Sequence, residues 1–252
     1  MLTQQTLEQL YDMRLHGMAD AWQEQQQQPR AADLSFDERL AMLVERQWLW
    51  KENRALATRL KYAGLRHDAC LENIDFRHPR GLQRAVINQL ASGQWIRHHH
   101  HCLITGPTGV GKSYLACALA HKACRDGFRA LYYYLPKLVR QLMTAQADGT
   151  LPRLLKKIAR VDILVVDDWG LVELRPDQHR LFLEILEDRQ GIGALLLTSQ
   201  YPVDTWHERI ADPTVADAML DRLLNNAYTI ELKGDSLRTK KPAKEATAHD
   251  SA

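Results

Sequence analysis

Gly106-Pro107-Thr108-Gly109-Val110-Gly111-Lys112-Ser113 stands between an apolar run, Cys102 to Thr105, and a helical pattern, Ser113 to Arg125. This is the spacing G-x-x-x-x-G-K-[ST] between a strand and a helix, and phosphate chemistry explains its residue types. Glycines let the backbone curl so that successive N–H groups face an anion, and the following helix presents its positive end to the same anion. Lys112 supplies a mobile cation for β and γ phosphates, and the Ser113 hydroxyl suits Mg²⁺, a hard ion that prefers oxygen. The nucleotide-binding stretch is accordingly Gly106, Pro107, Thr108, Gly109, Val110, Gly111, Lys112, Ser113 and Tyr114.

Around this loop, short apolar runs alternate with helical segments: Cys102–Thr105, Phe128–Tyr134, Val161–Val166, Ala194–Ser199 and Tyr228–Leu232. Five such runs predict an α/β fold with a five-stranded, mostly parallel sheet covered on both faces. Ile163-Leu164-Val165-Val166-Asp167-Asp168 reads as a buried strand followed by two carboxylates at its C-terminal end, where ligands bind in open α/β sheets. Asp167 is placed to hold Mg²⁺ beside Ser113, and Asp168 to act as general base on a water in line with the γ-phosphate. Thr198-Ser199-Gln200 closes the next strand, which puts Gln200 or Ser199 in reach of the γ-phosphate as a sensing group. Arg222, on the helix opened by Asp212-Pro213-Thr214, either pairs with an acid on its own surface or reaches the nucleotide of a neighbouring subunit.

The amino-terminal third has a different pattern. Leu7, Tyr11, Leu15, Met18 and Trp22 predict one amphipathic helix from Thr6 to Gln28. Ser35 with Glu38 three residues on predicts the start of a second helix, which runs to Gly64 with a core stripe of Leu49, Leu56, Leu60 and Ala63. Its remaining surface carries Arg46, Lys51, Arg54, Arg59, Lys61 and Arg66 against the single acid Glu52, a basic excess suited to DNA phosphates or to a plain solvated face. Arg77, Arg80, Arg84 and Arg97 continue it. The expected divisions are a helical DNA- or partner-binding domain over 1–68, a nucleotide-hydrolysing domain over 69–238 and a disordered tail over 239–252.

Composition narrows the class further. With 252 residues, 45% hydrophobic and 25% charged, the chain is a soluble globular protein, and collagenous, membrane-spanning and mostly disordered classes are excluded. A formal charge of +2 says nothing about partners by itself. The charged opening rules out a signal peptide, so a cytoplasmic location is expected. Cys70, Cys102, Cys117 and Cys124 lack metal-site spacing and suit reduced thiols, and His98 to His101 suit a solvated loop.

The loop, the carboxylate strand, the Thr198-Ser199-Gln200 end, and the block from Asp212-Pro213-Thr214 to Gly234-Asp235-Ser236-Leu237-Arg238 together resemble the IstB-like ATP-binding proteins. These are helper ATPases of insertion-sequence transposition, related to the DnaC-type helicase loaders of the AAA+ class. The resemblance implies an AAA+ P-loop NTPase core behind a small all-helical N-terminal domain, with a reduced or absent C-terminal lid. It also implies ATP and Mg²⁺ as cofactors and slow hydrolysis stimulated by DNA or assembly. The partners it implies are double-stranded DNA, a cognate transposase and further copies of the chain, with ATP at subunit interfaces. Lys112, Asp168, Gln200 and Arg222 are then the catalytic set, with Arg222 acting in trans, and Arg238 is a candidate second sensor. The alternative is a DnaC-type loader whose first 68 residues grip a replicative helicase. A small-molecule kinase is disfavoured, since no Arg-rich mobile lid follows the carboxylates.

Overall fold

The computed structural model describes residues 2–237, which form two compact units, one up to Lys61 and one from Tyr62 onward. Arg238 and the tail over 239–252 lie outside the described residues.

The first unit holds α1 (Leu2–Asp12), α2 (His16–Gln27) and most of α3 (Phe36–Ala63). The single helix expected from Thr6 to Gln28 is therefore two. Arg14 takes a left-handed φ of +61°, and the amides of Leu15 and Arg14 bond back to Leu10 and Tyr11 at 2.8 Å, the Schellman way of ending a helix. A helical apolar period persists across this break because both helices keep an apolar side. At the start of α3 the Ser35 amide donates to Glu38 at 2.8 Å and the Glu38 amide to the Ser35 hydroxyl at 3.3 Å, a reciprocal cap. The expected leucine stripe is only partly realised: Ala63 is buried, whereas Leu49 is 42% exposed, as are Leu40, Val44 and Trp48 to a similar or greater degree.

The second unit opens with α4 (Arg84–Ala91) and the single turn α5 (Gln94–Arg97). Strands and helices then alternate: β1 (His101–Thr105), α6 (Lys112–Arg125), β2 (Ala130–Tyr134), α7 (Leu135–Ala147), α8 (Leu151–Ala159), β3 (Ile163–Trp169), α9 (Pro176–Arg189), β4 (Ala194–Ser199), α10 (Pro213–Leu224) and β5 (Ala227–Glu231). The strand order is β2-β3-β4-β1-β5 and each pairing is parallel. Leu103, Leu131, Leu164 and Leu195 bury into one apolar layer with α7 to α10, as the alternation of a sheet requires. Buried Arg189 ties that layer together, donating to the carbonyls of Ile158 and Ala194 at 2.7 Å and Val161 at 3.0 Å.

Two features of this sheet position the site. β4 lies between β1 and β3, so the loop after β1 and the carboxylates of β3 flank the end of β4. The carboxylates also do not follow the strand, as expected, but lie within it. Val166 pairs with Leu197 and Trp169 with Ser199, so Asp167 and Asp168 together oppose the single residue Thr198 in a β-bulge.

Candidate active site

The loop after β1 curls through left-handed glycines, with φ of +141° at Gly106 and +90° at Gly109. Close packing behind it also demands glycine: a Cβ on Gly106 would stand 2.1 Å from the Leu232 carbonyl, and one on Gly109 would stand 2.1 Å from the Ser236 hydroxyl. The loop is braced from three sides. Gly106 N–H donates to Ser199 at 3.2 Å, Leu237 N–H to Gly109 at 3.0 Å, and the Arg80 guanidinium to Val110 at 2.9 Å. Arg80 is 3% exposed and also holds the Asp75 carbonyl at 3.1 Å. From sequence it counted only as one arginine in a basic stretch, and the structure makes it a strut beneath the loop.

Lys112 begins α6 and is buried, its ammonium donating to the carbonyls of Gly106 at 2.7 Å and Pro107 at 2.8 Å. Ser113 follows in the first turn, where backbone N–H groups have no helical acceptor and the positive end of the dipole lies. Tyr114 faces the His67 ring at 6.4 Å. Thr108 donates its hydroxyl to the Gln200 amide oxygen at 3.3 Å, which links the loop to the end of β4.

Asp167 is fully buried and heavily hydrogen-bonded: Tyr132 donates to one oxygen and Thr198 to the other, both at 2.6 Å. Burial, and then this bond to Asp167, push the Tyr132 phenol far above its ordinary value. Asp168 adopts φ of +64°, a rare conformation for a residue with a side chain, and its amide donates to Thr198 at 2.9 Å. The bulge thus turns Asp167 inward and leaves Asp168 partly exposed. Arg66 stands against both, 3.6 Å from Asp167 and 3.8 Å from Asp168.

The end of β4 distributes its roles differently from the sequence expectation. Ser199 is fully buried, donates to the Trp169 carbonyl at 2.8 Å and accepts from Tyr201 N–H at 3.1 Å, so its hydroxyl is committed to backbone. Gln200, partly exposed, is the one of the pair whose side chain reaches the phosphate loop. Thr198, not singled out from sequence, bonds both members of the carboxylate pair. The signal that could have found it was its register opposite Asp167 on the neighbouring strand.

Arg222 donates to the Ala218 carbonyl at 2.8 Å and to Glu187 on α9 at 3.0 Å, the same-surface pairing that the sequence left open. In the first unit, Arg46 pairs with Glu24 at 2.6 Å and Arg54 lies 5.0 Å from the Trp50 ring. Lys51 and Lys61 are exposed and Arg59 half-buried on the same helix, whereas Arg66 lies beyond its end and faces the carboxylates instead.

The donor set fits a nucleotide and a hard divalent cation. The loop combines left-handed glycines with the Lys112 ammonium and the N-terminus of α6, donors suited to phosphate, and Ser113, Asp167 and Asp168 offer only oxygen. The four cysteines are free thiols, and no cluster of metal-binding side chains occurs elsewhere among the described residues. No described helix is long and apolar enough to cross a membrane.

The family model for the IstB-like ATP binding protein matches residues 8–245. The chain belongs to this family. Its IstB-like relatives include a protein of Sinorhizobium fredii named as insertion sequence ATP-binding protein y4pL, 48% identical over 238 residues, covering 94% of this chain and 97% of that one. Another, named for insertion sequence IS1162 of Pseudomonas fluorescens, is 48% identical over 206 residues, covering 81% of this chain and 89% of the relative. Among solved structures, DnaI superposes with a TM-score of 0.58 at 23% identity, covering 66% of this chain and 91% of DnaI. That likeness extends to the fold alone, and in the IstB-like chain the α/β unit follows a helical N-terminal region.

Proposed function

We propose that this IstB-like protein is an ATPase that assembles on duplex DNA and assists a transposase encoded with its insertion sequence. The observation that carries the proposal is the bulge in β3, which holds Asp167 between two hydroxyls and leaves Asp168 partly exposed, two strands from the phosphate loop. In this reading the loop amides and Lys112 bind the triphosphate, and Ser113 and Asp167 would hold Mg²⁺, which would supply positive charge to the phosphates when bound. Asp168 takes the proton of the attacking water, and Gln200 reports the γ-phosphate to the loop through Thr108.

Arg222 completes a neighbour's site by exchanging Glu187 for that neighbour's γ-phosphate. The Glu187 pair is an exposed one, worth about 0–1 kcal/mol, so little opposes the exchange. Duplex DNA is the polyanion that the surface suits. Besides the basic positions of α3, the second unit displays Lys137 and Arg140 on α7, Arg153, Lys156 and Lys157 on α8 and Arg160 just past its end, all exposed. The only acid between those helices, Asp148, is engaged by Thr150 at 2.6 Å. Linked copies would add such contacts together, each releasing counterions from the duplex. The insertion sequences in the relatives' names support the transposition setting over helicase loading.

A gel shift with random duplex DNA, with and without ATP and Mg²⁺, tests this. Retention that needs ATP and weakens steeply with salt supports it. No retention at low salt overturns it and favours the loader.

A further inference from the structure

Arg66 is the residue that the proposed mechanism leaves unused. It lies three residues past the end of α3, near the start of the second unit. Its guanidinium is within 4 Å of both carboxylates, at 3.6 Å from Asp167 and 3.8 Å from Asp168, and is centred 5.5 Å from the Tyr134 ring. Both distances exceed those of a charge-assisted hydrogen bond, about 2.7–2.9 Å, so the arginine neutralises the pair without being bonded tightly to either member. Its side chain is 46% exposed, so it has a route to solvent. Asp167, by contrast, keeps its geometry independently of Arg66, through Tyr132 and Thr198 at 2.6 Å. The arginine is therefore dispensable for positioning the carboxylate, and what it supplies is charge.

That charge stands where a divalent cation would be attracted. Two cations drawn to the same carboxylate oxygens repel each other, and the half-exposed one with loose contacts is the one that leaves. We propose that Arg66 is a displaceable counter-ion of the Asp167–Asp168 pair, expelled when Mg²⁺ arrives with nucleotide, so that metal loading repositions the segment following α3. The proposal rests on the reading that Asp167, beside the general base Asp168, serves nucleotide-bound Mg²⁺.

The test is a Mg²⁺ titration of the full chain in the presence of a fluorescent non-hydrolysable ATP analogue. Arg66→Gln should lower the half-saturating Mg²⁺ concentration roughly three- to tenfold, and Arg66→Lys, which keeps the charge, should stay near wild type. Tyr134→Leu keeps every charge but removes the ring beside the guanidinium, and should shift the midpoint in the same direction by about twofold. It also serves if Arg66→Gln fails to fold, as judged by its thermal melt. A midpoint unchanged or raised in Arg66→Gln, or unchanged in Tyr134→Leu where only that variant folds, overturns the proposal. If wild type binds the analogue equally with and without Mg²⁺, the metal assignment of the carboxylates falls first. If wild type needs Mg²⁺ and Arg66→Gln responds identically, only the role of Arg66 falls.

Discussion

The hydroxyl of Thr198 and the carboxylate of Asp167 share a 2.6 Å hydrogen bond at a fully buried position on neighbouring strands. The same hydroxyl accepts the Asp168 amide at 2.9 Å, so one small side chain fixes both halves of the bulge. Thr198→Val keeps the shape and removes both bonds, leaving the buried Asp167 oxygen and the part-buried Asp168 amide without this partner, at a cost of about 1–3 kcal/mol each. Supporting bonds of this kind typically carry about 10–100-fold in activity. Phosphate release should fall by that order with ATP affinity nearly kept, and Thr198→Ser should restore it. A valine variant with wild-type turnover would remove Thr198 from the site.

Lys112→Ala removes the buried ammonium that faces the loop carbonyls of Gly106 and Pro107. Affinity for ATP should drop roughly tenfold to a hundredfold, the range for a lost charged hydrogen bond. Equilibrium dialysis with labelled ATP checks it, and undiminished binding would contradict the phosphate-loop assignment.

The Arg222–Glu187 pair separates two roles. If Arg222 only braces α10 against α9, Arg222→Ala and Glu187→Gln should weaken the fold alike, by under about 1 kcal/mol, and leave turnover alone. A finger role predicts that Arg222→Ala alone abolishes turnover, and that mixing it with Asp168→Asn subunits restores part of it. Absence of that complementation argues for the brace.

His101 titrates against the fold. Burial, followed by the charge on Arg189 and a smaller push from His100, lowers it from 6.5 to about 4, and its Nδ1 accepts the Leu195 amide at 3.2 Å, which requires the neutral ring. Stability from this residue is therefore complete above pH 6.5. As the pH falls from there toward 4, the unfolded chain takes up a proton that the native ring refuses, and up to about 3 kcal/mol is lost. Urea midpoints at pH 7.5 and 5.0 should converge in His101→Asn, which offers an oxygen acceptor without a titrating ring. Parallel pH dependence in the two proteins would exclude His101 as the source.

The sheet was legible because its signals are local: four or five apolar residues in a row between turn-forming loops, and a glycine loop whose spacing leaves one structural context. The break at Arg14 was not, since a left-handed helix end usually announces itself with glycine and here an arginine occupies it. The bulge at Asp167 and Asp168 was hidden for another reason: register belongs to two strands at once, and Thr198 lies 31 residues from Asp167. Arg80 and Arg66 looked alike in a basic stretch, and only tertiary structure distinguishes the buried strut from the half-exposed partner of two acids. Exposure of Leu49 shows the converse limit, because apolar spacing marks a face without saying what covers it.

The brace behind the phosphate loop orders events during synthesis. β1 needs β5 on one side, and Gly109 receives its bond from Leu237, more than a hundred residues downstream. A nascent chain still emerging from the ribosome therefore carries the glycine loop, with Arg80 in place, long before Ser199 and Leu237 can complete its support. A product terminated before Leu237 would lack part of what holds the glycine loop in its curled shape.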